Sequence, residues 1–158
     1  MPRSMRVFFG VCAMALCAFK CSRTQEAYLT VQVCLVDENG KGRFMEIMRD
    51  VASSQDLQFI DSSSSTEKSL NATRDAGLVK LSHVPTINVE IEGKHGLGVS
   101  ASNLGLPSNQ VVLGFTAGAD TAKARKLSDN LVQALSRQWR VEKVEKGKGA
   151  FPMNGCGQ

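Results

Sequence analysis

The chain has 158 residues, 42% of them hydrophobic, and carries 19 Lys plus Arg against 15 Asp plus Glu. Three of the basic residues, Arg3, Arg6 and Lys20, stand at the extreme N-terminus, so the remainder is close to charge balance. With no basic face, no interleaved aromatics, and single tryptophan and tyrosine residues at Trp139 and Tyr28, nucleic acid is excluded as the expected partner.

Arg3 and Arg6 precede an uncharged apolar run from Val7 to Phe19. Such a run has the length of a signal-peptide core and falls short of the ~20 residues needed to span a bilayer. Residues 1–20 are therefore expected to be an export signal, and residues 21–158 a single domain of a size that supports one hydrophobic core.

The first 21 residues resemble the signal of a bacterial lipoprotein, in which Leu or a similar residue and two small residues precede the cysteine that receives the lipid. Before Cys21 stand Ala18, Phe19 and Lys20, and before Cys17 stand Met14, Ala15 and Leu16, so large or charged residues occupy positions where that family has small ones. The resemblance implies lipidation at Cys21, and ordinary cleavage near Ala15 or Ala18 is the competing reading. A membrane would then be met only through this N-terminal lipid.

Leu29, Val31, Val33 and Leu35 alternate with Thr30, Gln32 and Cys34, the pattern of a strand with one face in the core. Turn formers from Asp37 to Gly42 follow. Phe44, Ile47, Met48 and Val51 then fall on one face of a helix ending near Ser53 or Ser54. Leu57, Phe59 and Ile60 form a second strand. The serine-rich segment Ser62–Thr66, with Ser69 and Asn71 behind it, has too few apolar residues to pack and is expected to be a mobile surface loop.

Leu78 to Leu81 suggests a short strand before Pro85. Ile87, Val89 and Ile91 alternate with Asn88, Glu90 and Glu92, and Leu97, Val99 and Ala101 alternate with Gly98, Ser100 and Ser102. Joined through Gly93, Lys94, His95 and Gly96, the two runs form a hairpin. Val111, Val112, Leu113 and Phe115 make a strand in which Gly114 marks a bulge or a close backbone approach. Asp120 is a natural N-cap for a helix whose apolar face is Ala124, Leu127, Leu131, Ala134 and Leu135. Trp139 and Val141 resume strand alternation against Arg140 and Glu142. A glycine-rich irregular tail begins near residue 146.

This order predicts an α+β fold with two layers: a largely antiparallel sheet carrying two amphipathic helices on one face, compatible with a ferredoxin-like arrangement holding an inserted hairpin.

Few residues carry a chemical signature. His83 and His95 have neither HExxH spacing nor clustered carboxylates, so no metal site is expected, and no motif calls for a cofactor. Gly98 to Ser102 approaches GxSxG, but its last position is Ser102 and its setting is a strand instead of a strand-to-helix elbow. Glu90 and Glu92 share one strand face, which reads as a solvated sheet surface. If the face bearing Thr30, Gln32, Glu90 and Glu92 is open, it can meet a partner protein. Trp139, a core residue by its alternation, is the one large anchor that could serve it.

Of the five cysteines, Cys12 and Cys17 lie in the leader. An oxidising compartment disfavours unpaired thiols, and lipidation of Cys21 would leave Cys34 and Cys156 to pair; a free Cys21 would compete. Cys34 lies opposite the core-facing residues of its strand, where the tail could cross it. The functional expectation is an exported, non-enzymatic envelope protein that binds another protein, inhibitor-like or immunity-like. A small hydrolase with an unrecognised serine or carboxylate set and a small-molecule binding module are the alternatives.

Overall fold

The computed structural model describes residues 26–36, 39–77, 86–107 and 109–156. The expected leader, Cys21, His83 and the strand expected from Leu78 lie outside the described residues.

The elements follow in the order β1 (Leu29–Cys34), α1 (Gly40–Ser54), β2 (Gln58–Asp61), α2 (Ser63–Asp75), β3 (Asn88–Glu92), β4 (Leu97–Ser102), β5 (Gln110–Ala117), α3 (Thr121–Ser136) and β6 (Arg140–Lys143). They form an α+β fold around one antiparallel sheet of order β2-β3-β4-β5-β1-β6. Taking out the β3–β4 hairpin leaves β2-β5-β1-β6, the strand order of a ferredoxin-like βαββαβ unit. The hairpin is inserted between β2 and β5 and widens the sheet by its two strands.

Helices α1 and α3 cover one sheet face. Phe44, Ile47, Met48, Val51 and Ala52 of α1 and Ala124, Leu127, Leu131 and Leu135 of α3 are buried, with Val31, Val33, Val89, Ile91, Val99, Val111, Leu113 and Phe115 of the sheet beneath them. Each of these strand residues alternates with one facing away, which explains why a single cluster of side chains accounts for both layers. Asp120 caps α3, its Oδ1 accepting from the Lys123 amide at 2.8 Å. Gly118 has a φ of +57°, and a Cβ there would stand 2.5 Å from the Leu97 amide nitrogen and 2.6 Å from the His95 carbonyl oxygen. Only glycine fits this turn between β5 and α3.

Two local expectations are corrected. Gly114 makes no bulge, because it pairs in unbroken register with Thr30 on one side and Ser100 on the other. The serine-rich segment is the helix α2, not a loop. Its order comes from polar contacts that an apolar-stripe argument does not count: Asp61 Oδ1 accepts from the Ser63 amide at 2.9 Å, the Ser63 hydroxyl accepts from the Asn88 amide at 3.0 Å, and Asn88 Nδ2 donates to Thr66 Oγ1 at 2.9 Å. Ser65, Ser69 and Thr73 hydroxyls donate back to the carbonyls of Ser62, Ser65 and Ser69. The helix is thus docked by its first turn, and Ser63 is its one buried residue.

Candidate functional site

The face of the sheet opposite α1 and α3 is set out by strand register. Across the strands it carries one row of Ile60, Glu90, Ser100, Gly114 and Thr30, and a second of Gln58, Glu92, Gly98 and Thr116. A third row runs Asn88, Ser102, Val112, Gln32 and Glu142, and a fourth Gln110, Cys34 and Arg140.

The chain after β6 returns across the last two rows. Cys34 and Cys156 form a disulfide with an S–S distance of 2.05 Å and Cα atoms 5.7 Å apart. Gln32 Nε2 donates to the Phe151 carbonyl at 2.7 Å and to Gln110 Oε1 at 2.9 Å, and the same Gln110 oxygen accepts from the Met153 amide at 2.9 Å. One carboxamide oxygen therefore satisfies a strand side chain and a tail amide together, so both can be buried without an orphaned donor. Met153 is buried against this patch, and the turn from Met153 to Cys156 closes with Gly155 at a φ of +72°.

The other half of the face is uncovered at Glu90, Glu92 and Ser100, and α2 meets it at Asn88. Glu90 and Glu92 are exposed and form no ion pair among the described residues. Beside them Gly98, Ser100 and Thr116 line a shallow trough with the β3–β4 turn at its end. Gly114, in the row of Ser100, has that serine's Oγ 3.4 Å from where its own Cβ would stand and Ala27 Cβ at 3.5 Å. Small side chains keep this floor low, and the two carboxylates form its wall. Thr116 Oγ1 is turned to the turn backbone, donating to the Gly96 carbonyl at 2.8 Å.

The residues singled out from sequence are thus divided. Thr30, Gln32, Glu90 and Glu92 do share one sheet face, but only the two glutamates stand free on it. Gln32 is 4% exposed beneath the tail and is not available to a partner. Thr30 is half-buried between the first described residues and the start of the tail, where Lys146 Nζ meets Glu26 Oε1 at 3.3 Å. Trp139 belongs to the core cluster and cannot serve this face as an anchor: it points to the helix side with Val141.

Sequence reasoning missed Gln110 and Met153, the buried pair that seats the tail, and the trough floor of Gly98, Ser100 and Thr116. Gln110 was legible in principle, because it alternates with Val111 and Leu113 and so had to face away from the core. Its partner could not be read, being 43 positions away in an irregular segment.

Among the described residues no group of three His, Cys, Asp or Glu side chains is placed to hold a metal ion, and no helix is long and apolar enough to cross a membrane. No protein-family model matches the chain, and no curated protein matches it.

Proposed function

We propose that this is an exported envelope protein, periplasmic or extracellular, that acts by binding another protein through the carboxylate half of its sheet face, in the manner of an inhibitor or immunity protein. The single observation carrying this reading is the pairing of two exposed carboxylates, Glu90 and Glu92, with a low floor of small residues on a flat sheet. A flat surface with a charged wall suits a protein partner that presents Lys or Arg along an extended segment, because such a partner supplies the cations the two carboxylates lack. Export is supported by the leader of residues 1–20 and by the disulfide, a bond that oxidising compartments preserve. A lipid on Cys21 would hold the domain at the envelope surface. No cofactor enters this reading.

The test is affinity capture from the envelope fraction with the oxidised mature chain and two variants. Wild-type protein and the helix-face variant Lys126→Glu should retain the same partner, while Glu90→Lys combined with Glu92→Lys should lose it. Retention by the doubly reversed variant, or repeated capture of nothing by the wild type, would rule the reading out.

A further inference from the structure

The sheet has two edges, and β6 is the one whose chemistry is self-complementary. Val144 donates its amide to the Thr30 carbonyl at 2.9 Å, and with the register Val31 to Lys143 and Val33 to Val141 this fixes which way each β6 residue faces. Antiparallel ladders alternate, so Arg140 and Glu142 bond to β1, and the amide and carbonyl groups of Val141 and Lys143 point away from the sheet. Among the described residues no strand lies beside those outward groups.

The two sides of this edge differ. On the helix side a groove of about 550 Å³ runs between β6 and α3, with Leu29, Val31, Val132 and Val141 among its lining and Asp129 and Lys143 on its walls. On the other side Arg140 and Glu142 stand together, Nη2 to Oε1 at 2.7 Å, each about half exposed. Charged residues on short edge strands ordinarily repel a second strand. Here the signs alternate, and the consequence depends on register.

We propose that β6 pairs with β6 of a second copy of this chain, antiparallel about a two-fold axis through Val141. Facing residues in an antiparallel pair share a sheet side. A two-fold at Glu142 sets Glu142 against itself, one at Arg140 sets Arg140 against itself, and one at Lys143 does the same for lysine. Among axes at the four residues of β6, only the one at Val141 avoids every like-charge pair. It places each Arg140 opposite the second copy's Glu142, so that the four side chains alternate in sign around the axis. It also brings the outward amide and carbonyl of Val141 into the closely spaced hydrogen-bonded pair, and sets Val141 against its copy over the groove. Val132 of both α3 helices then approaches the axis from the helix side, closing an apolar groove that neither copy closes alone. The pairing leaves the carboxylate half of the sheet face untouched, since β3 and β4 lie on the far side of β5 and β1.

Sedimentation velocity on the oxidised mature chain, from on the order of 1 µM to 1 mM, reads the equilibrium directly. The expected result is a concentration-dependent shift to twice the monomer mass. Glu142→Arg and Arg140→Glu, each alone, should raise the dissociation constant by about tenfold or more, and the two combined should restore it, because the swapped pair is again complementary in that register. Val141→Pro keeps the intrachain ladder, as the nitrogen it alters faces outward, and should leave only monomer. Intact disulfide and an unchanged unfolding midpoint in each variant separate loss of pairing from loss of fold. A wild-type chain that stays monomeric throughout overturns the proposal, as does a dimer that Val141→Pro leaves intact or a charge swap that fails to rescue.

Discussion

The two halves of the outer sheet face are built from the same strand pattern and end in opposite states. Under the tail, Gln32 and Gln110 are buried and bonded to each other and to the tail backbone, and the disulfide holds the cover in place. Over β3 and β4, Glu90 and Glu92 take the equivalent alternating positions and are exposed. What separates the halves is not strand propensity but chemistry. A carboxamide presents a donor and an acceptor and can seat a crossing backbone, whereas a carboxylate accepts only and, without a cation, is costly to cover. Alternation alone says which side a residue faces; the functional group says whether that side can be roofed by the chain's own backbone.

The largest expected effect comes from removing the strap. Cys156→Ser opens a loop spanning 122 residues of sequence separation, for which the chain-entropy model gives about 4 to 5 kcal/mol at most. Urea unfolding should show that loss, and limited proteolysis should cut between residues 144 and 156 only in the variant. Leu131→Ala acts on the opposite face, where both halves share one core, and should lower stability by about 2 to 5 kcal/mol without releasing the tail. A tail that is cut in this variant under native conditions would mean that the strap depends on the core. Gln110→Ala removes the shared acceptor, leaving the Met153 N–H without a partner and the Gln32 amide with the Phe151 carbonyl alone, costing about 1 to 3 kcal/mol and loosening the tail while the disulfide persists. Smallest of all, Glu90→Lys with Glu92→Lys should change stability by no more than about 0.5 kcal/mol, since neither group is covered or paired. A large loss there would show that the carboxylate half is structural.

Much of this plan was readable in the chain. The periodicities of Phe44 to Val51 and Leu127 to Leu135 located two helices, and four alternating runs located strands whose core faces are as expected. Setting Cys12 and Cys17 aside with the expected leader and Cys21 with its expected lipid, and placing Cys34 opposite the core where a glycine-rich tail could cross it, anticipated the Cys34–Cys156 disulfide. The helix α2 was not legible, because its order rests on hydroxyl and carboxamide contacts to Asn88 and Asp61, and hydropathy is blind to those. The division of the sheet face was hidden for a similar reason. Gln32 and Glu90 read alike as polar strand residues, and only the distant Met153 and Phe151 decide that one is roofed.

Which face a partner protects separates binding at the carboxylate half of the sheet from binding at the helices. Carboxyl footprinting of the oxidised domain of residues 21–158, free and in the captured complex, compares Glu90 and Glu92 with Glu46 on α1 and Asp129 on α3, all of them exposed in the free chain. All four are expected to be modified in the free protein, and Glu90 and Glu92 alone to become protected in the complex. Protection of Glu46 and Asp129, with Glu90 and Glu92 still modified, would place the partner on the helical face and contradict binding at the carboxylate half.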